Sequence, residues 1–570
     1  MCGIYGITKK NLDWIENYIN LCAHRGPDAN NTYIDDDISL GHNLLSITDT
    51  PNNGIQPWKS PKGNILVYNG EIFNYFELCK KHQNFKPKTN CDTELLAWGL
   101  DEYGIDFIEE IDSMHAFAFW QKENKKLFLS RDHAGVKPLY YSNLGSFIAF
   151  GSEAKGLLET IPYARTIDQL ALSSWSYCGL NVTRNSFFKG INKVMPGETL
   201  LYNLTNKKIT SVKKNIVIGG NSKNFLPEQF IEIFDKTIKN FLIGTREIGI
   251  FLSGGLDSTI ITHHATKYRN LKVLTSKIVP SPDDPFEDFN SDYLEAKTFS
   301  KKYNLEQIIV QHTPEIYSDY WYSSVLALEE PLYNPSIPMY EQANKMMKDN
   351  GIVVSLSGDM GDELLYGYPS YDRLDNFQIK THRDCIKFWL NERLSQPPNI
   401  KGVKFTRDEI IDSLMESVFP DSLWDKDDIV SSYMRLDQQG LCPEDFFRRN
   451  DRFGMKYSIE GRFPFASKVL MNYLMNIHSK FKRGKNENGL KFIIKNSYKN
   501  ILSNSIINKT KTGWTAPIHE WKRQFNDRCS KIYEIANNVT LNNKLVIPDD
   551  KRWAPFLHFY SWIYLNKMKL

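Results

Sequence analysis

The first two hundred residues carry short apolar runs of β type. Ile65-Leu66-Val67-Tyr68, Ala116-Phe117-Ala118-Phe119-Trp120, Leu127-Phe128-Leu129-Ser130 and Phe147-Ile148-Ala149-Phe150 are bounded by Gly, Asn or Lys and predict strands. Between them, Asp92 to Tyr103 predicts a helix with Leu95, Leu96 and Leu100 on one face. Residues 206–224 are rich in Lys, Asn, Gly and Ser, and this turn chemistry predicts a linker. Beyond it the pattern changes. Phe225 to Leu242 is an amphipathic helical stretch, and Ile248-Gly249-Ile250-Phe251-Leu252 is an apolar strand running into Ser253-Gly254-Gly255, with a helix expected from Ser258. A second strand, Ile352 to Leu356, also ends in a Ser-Gly turn. Strands alternating with helices imply a parallel sheet. The remaining chain is rich in Trp and Tyr and helical in pattern.

A chain of 570 residues holds at least two domains. A net charge of +3 is too small to mark nucleic acid or an anionic membrane as a partner, and the Lys-rich stretches Lys207 to Lys214 and Lys480 to Lys485 read as solvated surface. Eight cysteines are scattered without a CxxC pair. That argues against structural zinc and suits a reducing compartment. Residues 1–20 lack a basic start followed by an apolar core, and no apolar run approaches the ~18–20 residues of a membrane span. A soluble, cytoplasmic protein is expected.

The first candidate for chemistry is Cys2. Once Met1 is removed, Cys2 carries a thiol and a free α-amine. The amine titrates near 8, so nucleophile and base share one residue. Tyr68-Asn69-Gly70-Glu71 follows a strand. Its Asn amide and Gly N–H suit an oxyanion hole. Asp92, opening a helix, could bind an ammonium group. In the second half, Ser253-Gly254-Gly255-Leu256-Asp257-Ser258 joins a strand to a helix. Glycines permit close backbone approach to phosphate, and the helix start favours an anion. Asp257 would reach phosphate through Mg²⁺. All six positions resemble the pyrophosphate loop of ATP pyrophosphatases, and no Gly-Lys-Ser/Thr follows as in a Walker loop. The resemblance implies cleavage between the α- and β-phosphates, yielding AMP and pyrophosphate. Ser357-Gly358-Asp359-Met360-Gly361-Asp362-Glu363 follows the second strand, where parallel sheets bind ligands. Asp362 is the second Mg²⁺ ligand candidate. Arg25-Gly26-Pro27-Asp28 and Arg131 to Tyr141 read as scaffold.

These motifs, with Ser152-Glu153-Ala154-Lys155, Pro196-Gly197-Glu198, Asp451-Arg452, Ser458 to Phe465 and Lys509 to Trp514, resemble glutamine-hydrolysing asparagine synthetases and their amidotransferase relatives over nearly the full length. The resemblance implies an N-terminal-nucleophile αββα sandwich (1–205), a linker (206–224) and a Rossmann-like, parallel-sheet ATP-pyrophosphatase domain with a helical C-terminal part (225–570). It implies that Cys2 attacks the glutamine amide, that Asn69 and Gly70 hold the oxyanion, and that Glu71 and Asp92 bind the amino-acid end. Ammonia would pass through an internal tunnel. ATP, a co-substrate with Mg²⁺, would meet Phe251, Leu252, Ser253, Gly254, Gly255, Asp257, Ser258, Ile278, Ser357 and Gly358. Asp257 and Asp362 would hold the metal. Asp359 would lie near the reacting carboxylate, and Lys511 would stabilise charge. The implied partners are small molecules: glutamine, ATP and a carboxylate acceptor, with a homodimer left open.

Two positions depart from the family pattern. Leu44 stands in Gly41-His42-Asn43-Leu44-Leu45-Ser46-Ile47 where the family has an arginine that grips the glutamine carboxylate. Asp359 stands where many asparagine synthetases have glutamate. The leading expectation is synthesis of asparagine from aspartate. The alternatives are the same chemistry on another carboxylate, such as a uronic acid of a surface polysaccharide, and a catalytically inactive sensing or scaffolding relative.

Overall fold

The computed structural model describes residues 2–161, 163, 165–220, 225–279, 290–332, 334–393, 403–484, 489–509, 521 and 553–569. Twelve strands form the N-terminal part. They are β1 (Gly3–Ile7), β2 (Ala29–Ile34), β3 (Ser39–Leu44), β4 (Trp58–Lys59), β5 (Ile65–Ile72), β6 (Ser113–Gln121), β7 (Lys126–Arg131), β8 (Tyr140–Asn143), β9 (Ile148–Gly151), β10 (Asn192–Lys193), β11 (Glu198–Asn203) and β12 (Lys208–Lys214). They make two antiparallel six-stranded sheets, ordered β10-β8-β9-β1-β3-β2 and β12-β11-β7-β6-β5-β4. The inner faces of the sheets meet through Ile4, Leu40, Val67, Ala118, Trp120 and Leu129, all buried. Helix Leu12–Leu21 covers the outer face of the first sheet. Helix Asp92–Tyr103 covers the second through Leu95, Leu96 and Leu100 against Leu66, Tyr68 and Phe117. The predicted αββα sandwich is therefore present, and the Asp92–Tyr103 helix has the expected bounds.

Residues 208–214, expected in the linker, are instead the edge strand β12. It pairs with β11 from Glu198↔Lys214 to Asn203↔Lys208. Lysines on an exposed edge discourage further strand pairing, and that composition mimics a linker. Lys482 is a second correction. It lies in a stretch expected to be solvated yet is wholly buried, and burial pushes its amine down to about 7.

Among the described residues five strands follow: β13 (Ile248–Phe251), β14 (Lys272–Ile278), β15 (Glu306–His312), β16 (Val354–Leu356) and β17 (Glu460–Arg462). Their order is β15-β14-β13-β16-β17 and every pair is parallel. The chain leaves β13 toward β14 and β15, then returns to the other side at β16. The gap between β13 and β16 at their carboxyl ends is thus the point where strand order reverses, the usual ligand crevice of such sheets. The helix after β13 begins at Leu256, two residues earlier than expected. The two parts share apolar packing: Leu45, Ile47, Phe73, Met114 and Val136 join one core with Phe241, Phe447, Phe463 and Phe465.

Candidate active site

Two centres emerge, one in each part of the chain. The first surrounds Cys2 at the head of β1. The Cys2 N–H donates to Asn69 Oδ1 at 2.9 Å. Asn69 Nδ2 is buried and has no hydrogen-bond partner among the described residues. Asn69 itself does not line the pocket at Cys2, although its Oδ1 contact places its amide beside the Cys2 backbone. Cys2, Gly70, Glu71 and Asp92 line one pocket, with Leu44, Leu45 and Glu460. Asp92 Oδ2 accepts from the Tyr68 hydroxyl at 3.0 Å and from the Ile72 N–H at 2.9 Å. Burial pushes the Cys2 thiol up, and it raises Asp92 to about 6. Glu71 is held well above the usual carboxylate range by burial and then by Asp92. These three shifts all disfavour negative charge on Cys2, Glu71 and Asp92, so a cationic group bound beside them would favour their ionised forms.

Part of the wall of this pocket comes from the second half of the chain. Arg462, on β17, binds Glu460 Oε1 at 2.6 Å and Glu71 Oε2 at 3.1 Å. Its carbonyl accepts from the Ser357 N–H at 3.2 Å, inside the second centre. One three-residue strand thus touches both sites. Arg25, expected to be scaffold, does more than hold a turn. Its Nε donates to the Cys2 carbonyl at 3.2 Å, and its guanidinium forks onto Asp451 at 2.8 and 2.9 Å and reaches Glu153 at 2.9 Å. Arg452 next to it pairs with Glu329 at 2.8 Å. This buried ion cluster ties the Cys2 strand to the helix that carries Asp451.

The second centre is a cavity of about 590 Å³ at the carboxyl ends of β13, β14 and β16. Phe251, Leu252, Ser253, Gly255, Asp257, Ser258, Ile278, Ser357, Gly358, Asp359 and Asp362 all line it, as expected. Gly254 does not. It sits behind the loop at φ +86°, where a Cβ would lie 2.2 Å from the Asp292 carbonyl. The Ser253 and Ser258 hydroxyls bond each other at 3.0 Å and shape the turn. A Cβ on Gly358 would come within 2.9 Å of Asp257 Cβ, and one on Gly361 within 2.8 Å of Asp257 Cγ. The two glycines therefore let the second loop press against the first and bring Asp362 beside Asp257. Asp359 Oδ2 accepts from Ser357 Oγ and, at 3.0 Å, from Asn450 Nδ2.

Lys511 lies outside the described residues. Of the described lysines that line the cavity, Lys491, Lys495 and Lys509, the one beside Asp257 and Asp362 is Lys491, which the sequence reading missed. Its ammonium pairs with Asp362 Oδ1 at 2.7 Å and with Asp257 Oδ2. Burial alone would lower Lys491, but Asp257 and Asp362 overcome it and hold the amine above its ordinary value. The chain enters Lys491 in the left-handed region, φ 55°, and starts the helix Phe492–Tyr498 there. No loop motif marks it. The only signal was Gly489-Leu490-Lys491 ahead of an apolar helix. Arg449 also lines the cavity, stacked 3.9 Å from the Tyr340 ring and paired with Asp445. Two carboxylates converging on one cation are hard oxygen donors of the kind Mg²⁺ accepts beside phosphates. Among the described residues no group of three or more His, Cys, Asp or Glu is placed to hold a metal unaided. None of the described helices is long and apolar enough to cross a membrane.

The family profile described as "Glutamine amidotransferase domain" matches residues 1–214, and that described as "Asparagine synthase" matches residues 229–544. Asparagine synthetase [glutamine-hydrolyzing] 1 of Bacillus subtilis (strain 168) is 24% identical over 92% of this chain and 89% of its own. Number 3 of the same organism is 26% identical over 91% and 88%. Asparagine synthetase B [glutamine-hydrolyzing] of Escherichia coli (strain K12) is 27% identical over 68% of each. With two centres on two such domains, the chain belongs to the asparagine synthase family, as an amidotransferase of the ligase class.

Proposed function

We propose that the chain moves nitrogen from a glutamine side-chain amide to a carboxylate acceptor activated by ATP, with aspartate the first acceptor to test and asparagine its product. At the first centre the Cys2 thiolate adds to the amide carbon. Asn69 Nδ2 and the Gly70 N–H would hold the oxyanion, and Glu71 and Asp92 the α-ammonium. After loss of Met1, the Cys2 amine would take the thiol proton. The tetrahedral intermediate then collapses to a thioester as its C–N bond breaks, and ammonia leaves with the proton held by the amine. Water cleaves the thioester to the γ-carboxylate and restores the thiol.

At the second centre the acceptor carboxylate attacks the α-phosphorus of ATP. The Ser253–Ser258 turn and the helix start at Leu256 would receive the departing pyrophosphate. Asp257 and Asp362 would hold Mg²⁺, which neutralises phosphate charge when bound. Lys491 would turn its ammonium from these carboxylates to the polyphosphate as a compact point charge. Arg449, beside Asp359, supports an acceptor with a second negative group, as aspartate has. Ammonia then displaces AMP from the acyl-adenylate.

The observation that carries this reading is the convergence of Asp257, Asp362 and Lys491 where strand order reverses. A pyrophosphate-release screen over carboxylate acceptors, with ammonia supplied, tests it. Release with aspartate is expected. Release only with other acids would replace the acceptor, and silence with every acid would remove the activity.

A further inference from the structure

The two carboxylates read as ligands for the donor's ammonium are held in different ways. Asp92 is fixed from within the first part of the chain, by the Tyr68 hydroxyl at 3.0 Å and the Ile72 N–H at 2.9 Å. Glu71, buried near the end of β5, has one side-chain hydrogen bond among the described residues, and it comes from the second part. Arg462 Nη2 donates to Glu71 Oε2 at 3.1 Å across 391 positions of chain. Burial and then Asp92 push Glu71 toward its neutral form. Arg462 is the largest influence against them, ahead of the amino-terminal ammonium.

Arg462 is itself fixed from several sides. It is wholly buried on β17. Its Nε donates to Glu460 Oε1 at 2.6 Å, and its Nη1 to the Phe241 carbonyl at 2.8 Å and the Ile243 carbonyl at 2.6 Å. Its own carbonyl accepts from the Ser357 N–H, and Leu356 of β16 is its partner in the sheet. A guanidinium is a planar fork, so these bonds set the plane in which Nη2 meets Glu71. Among the described residues Arg462 makes no hydrogen bond to Cys2, Asn69 or Gly70, the groups assigned to the amide carbon.

We propose that Arg462 is a positioning residue of the donor site: it fixes the Glu71 carboxylate for the donor's α-ammonium, so that the second part of the chain completes the binding site of the first. This rests on the reading of Cys2 as the amide-cleaving nucleophile and of Glu71 as an ammonium ligand. Without Arg462, the Glu71 carboxylate is a buried charge with no fixed partner, and it turns away or takes up a proton. Cys2, Asn69 and Gly70 keep their places. The loss therefore falls on donor binding and appears in KM rather than kcat.

The test is Cys2-dependent ammonia release from L-glutamine by the full-length protein, with Cys2→Ala as the blank and a cooperative melting transition as the measure of fold. Arg462→Gln is expected to raise the glutamine KM by about tenfold or more, as loss of one partner of a buried charge pair does, with kcat nearly unchanged. Arg462→Lys, which keeps the charge without the fork, should lie between. In a Glu71→Gln background, itself raised in KM, Arg462→Gln should add less than about threefold, because the two residues act as one unit. An unchanged KM in either folded single variant, Arg462→Gln or Glu71→Gln, a loss confined to kcat, or full additivity of the two overturns the inference and leaves Cys2 as the nucleophile. Absence of a cooperative transition in both Arg462 variants makes the arginine a requirement of the fold and overturns it too. No Cys2-dependent ammonia from the wild-type protein overturns the inference together with the donor reading beneath it.

Discussion

Cys2 donates its N–H to Asn69 Oδ1, and the buried Nδ2 of Asn69 has no hydrogen-bond partner among the described residues. Cys2→Ala is therefore expected to abolish donor-dependent synthesis while ammonia-dependent pyrophosphate release persists. Equal loss of both, measured side by side, would sink the two-centre assignment. Asp257→Ala is expected to do the reverse, stopping pyrophosphate release and sparing amide hydrolysis. Lys491→Ala should lower the rate of pyrophosphate release by roughly 10²–10³, the range for loss of one donor to developing charge. A wild-type rate in that variant would take Lys491 out of the site. Asp92 gives a pH signature. Burial raises it to about 6, so below that pH it is neutral and cannot attract an ammonium. The donor KM should rise as pH falls through 6 and level off above it. A KM flat from pH 5 to 8 would contradict this. Of these residues, Cys2, Asn69, Asp92, Asp257 and Asp362 were legible because each lies in a short motif beside a strand or helix start. Lys491 was not, because it approaches Asp257 across 234 positions of chain, a distance no local pattern records.

The turn after β13 shows what an element demands of its sequence. Gly254 is left-handed and abuts the Asp292 carbonyl. A side chain there costs about 1–2 kcal/mol in backbone conformation alone, before the clash with helix Ser291–Lys302 is counted. Gly254→Ala should thus raise the KM for ATP, read in a pyrophosphate assay, with little change in amide hydrolysis. Loss of both activities together would point to general unfolding instead. The strands and this turn could be read from apolar runs ended by glycine. β12 could not. Its lysines suit a solvated linker and an exposed edge strand equally well, and only pairing with β11 distinguishes the two.

The two parts of the chain are joined by a shared apolar core and by the ion cluster of Arg25, Glu153, Asp451, Arg452 and Glu329. Removing one partner of a buried pair costs about 3–5 kcal/mol, since the other charge stays buried. Arg25→Met should lower the melting temperature and, if the protein still folds, uncouple the centres, so that more ammonia is released per amide made. An unchanged melting temperature and ratio would make the cluster incidental. The chemistry of each centre, the alternation of strands and helices, and the order of the two domains follow from residues near one another in the chain, where steric and hydrogen-bonding rules act locally. The partners of Arg25, the place of Lys491 between two aspartates, and the anionic lining of the Cys2 pocket follow from packing. Each brings together groups hundreds of residues apart, and their charges acquire meaning only once burial removes water from between them.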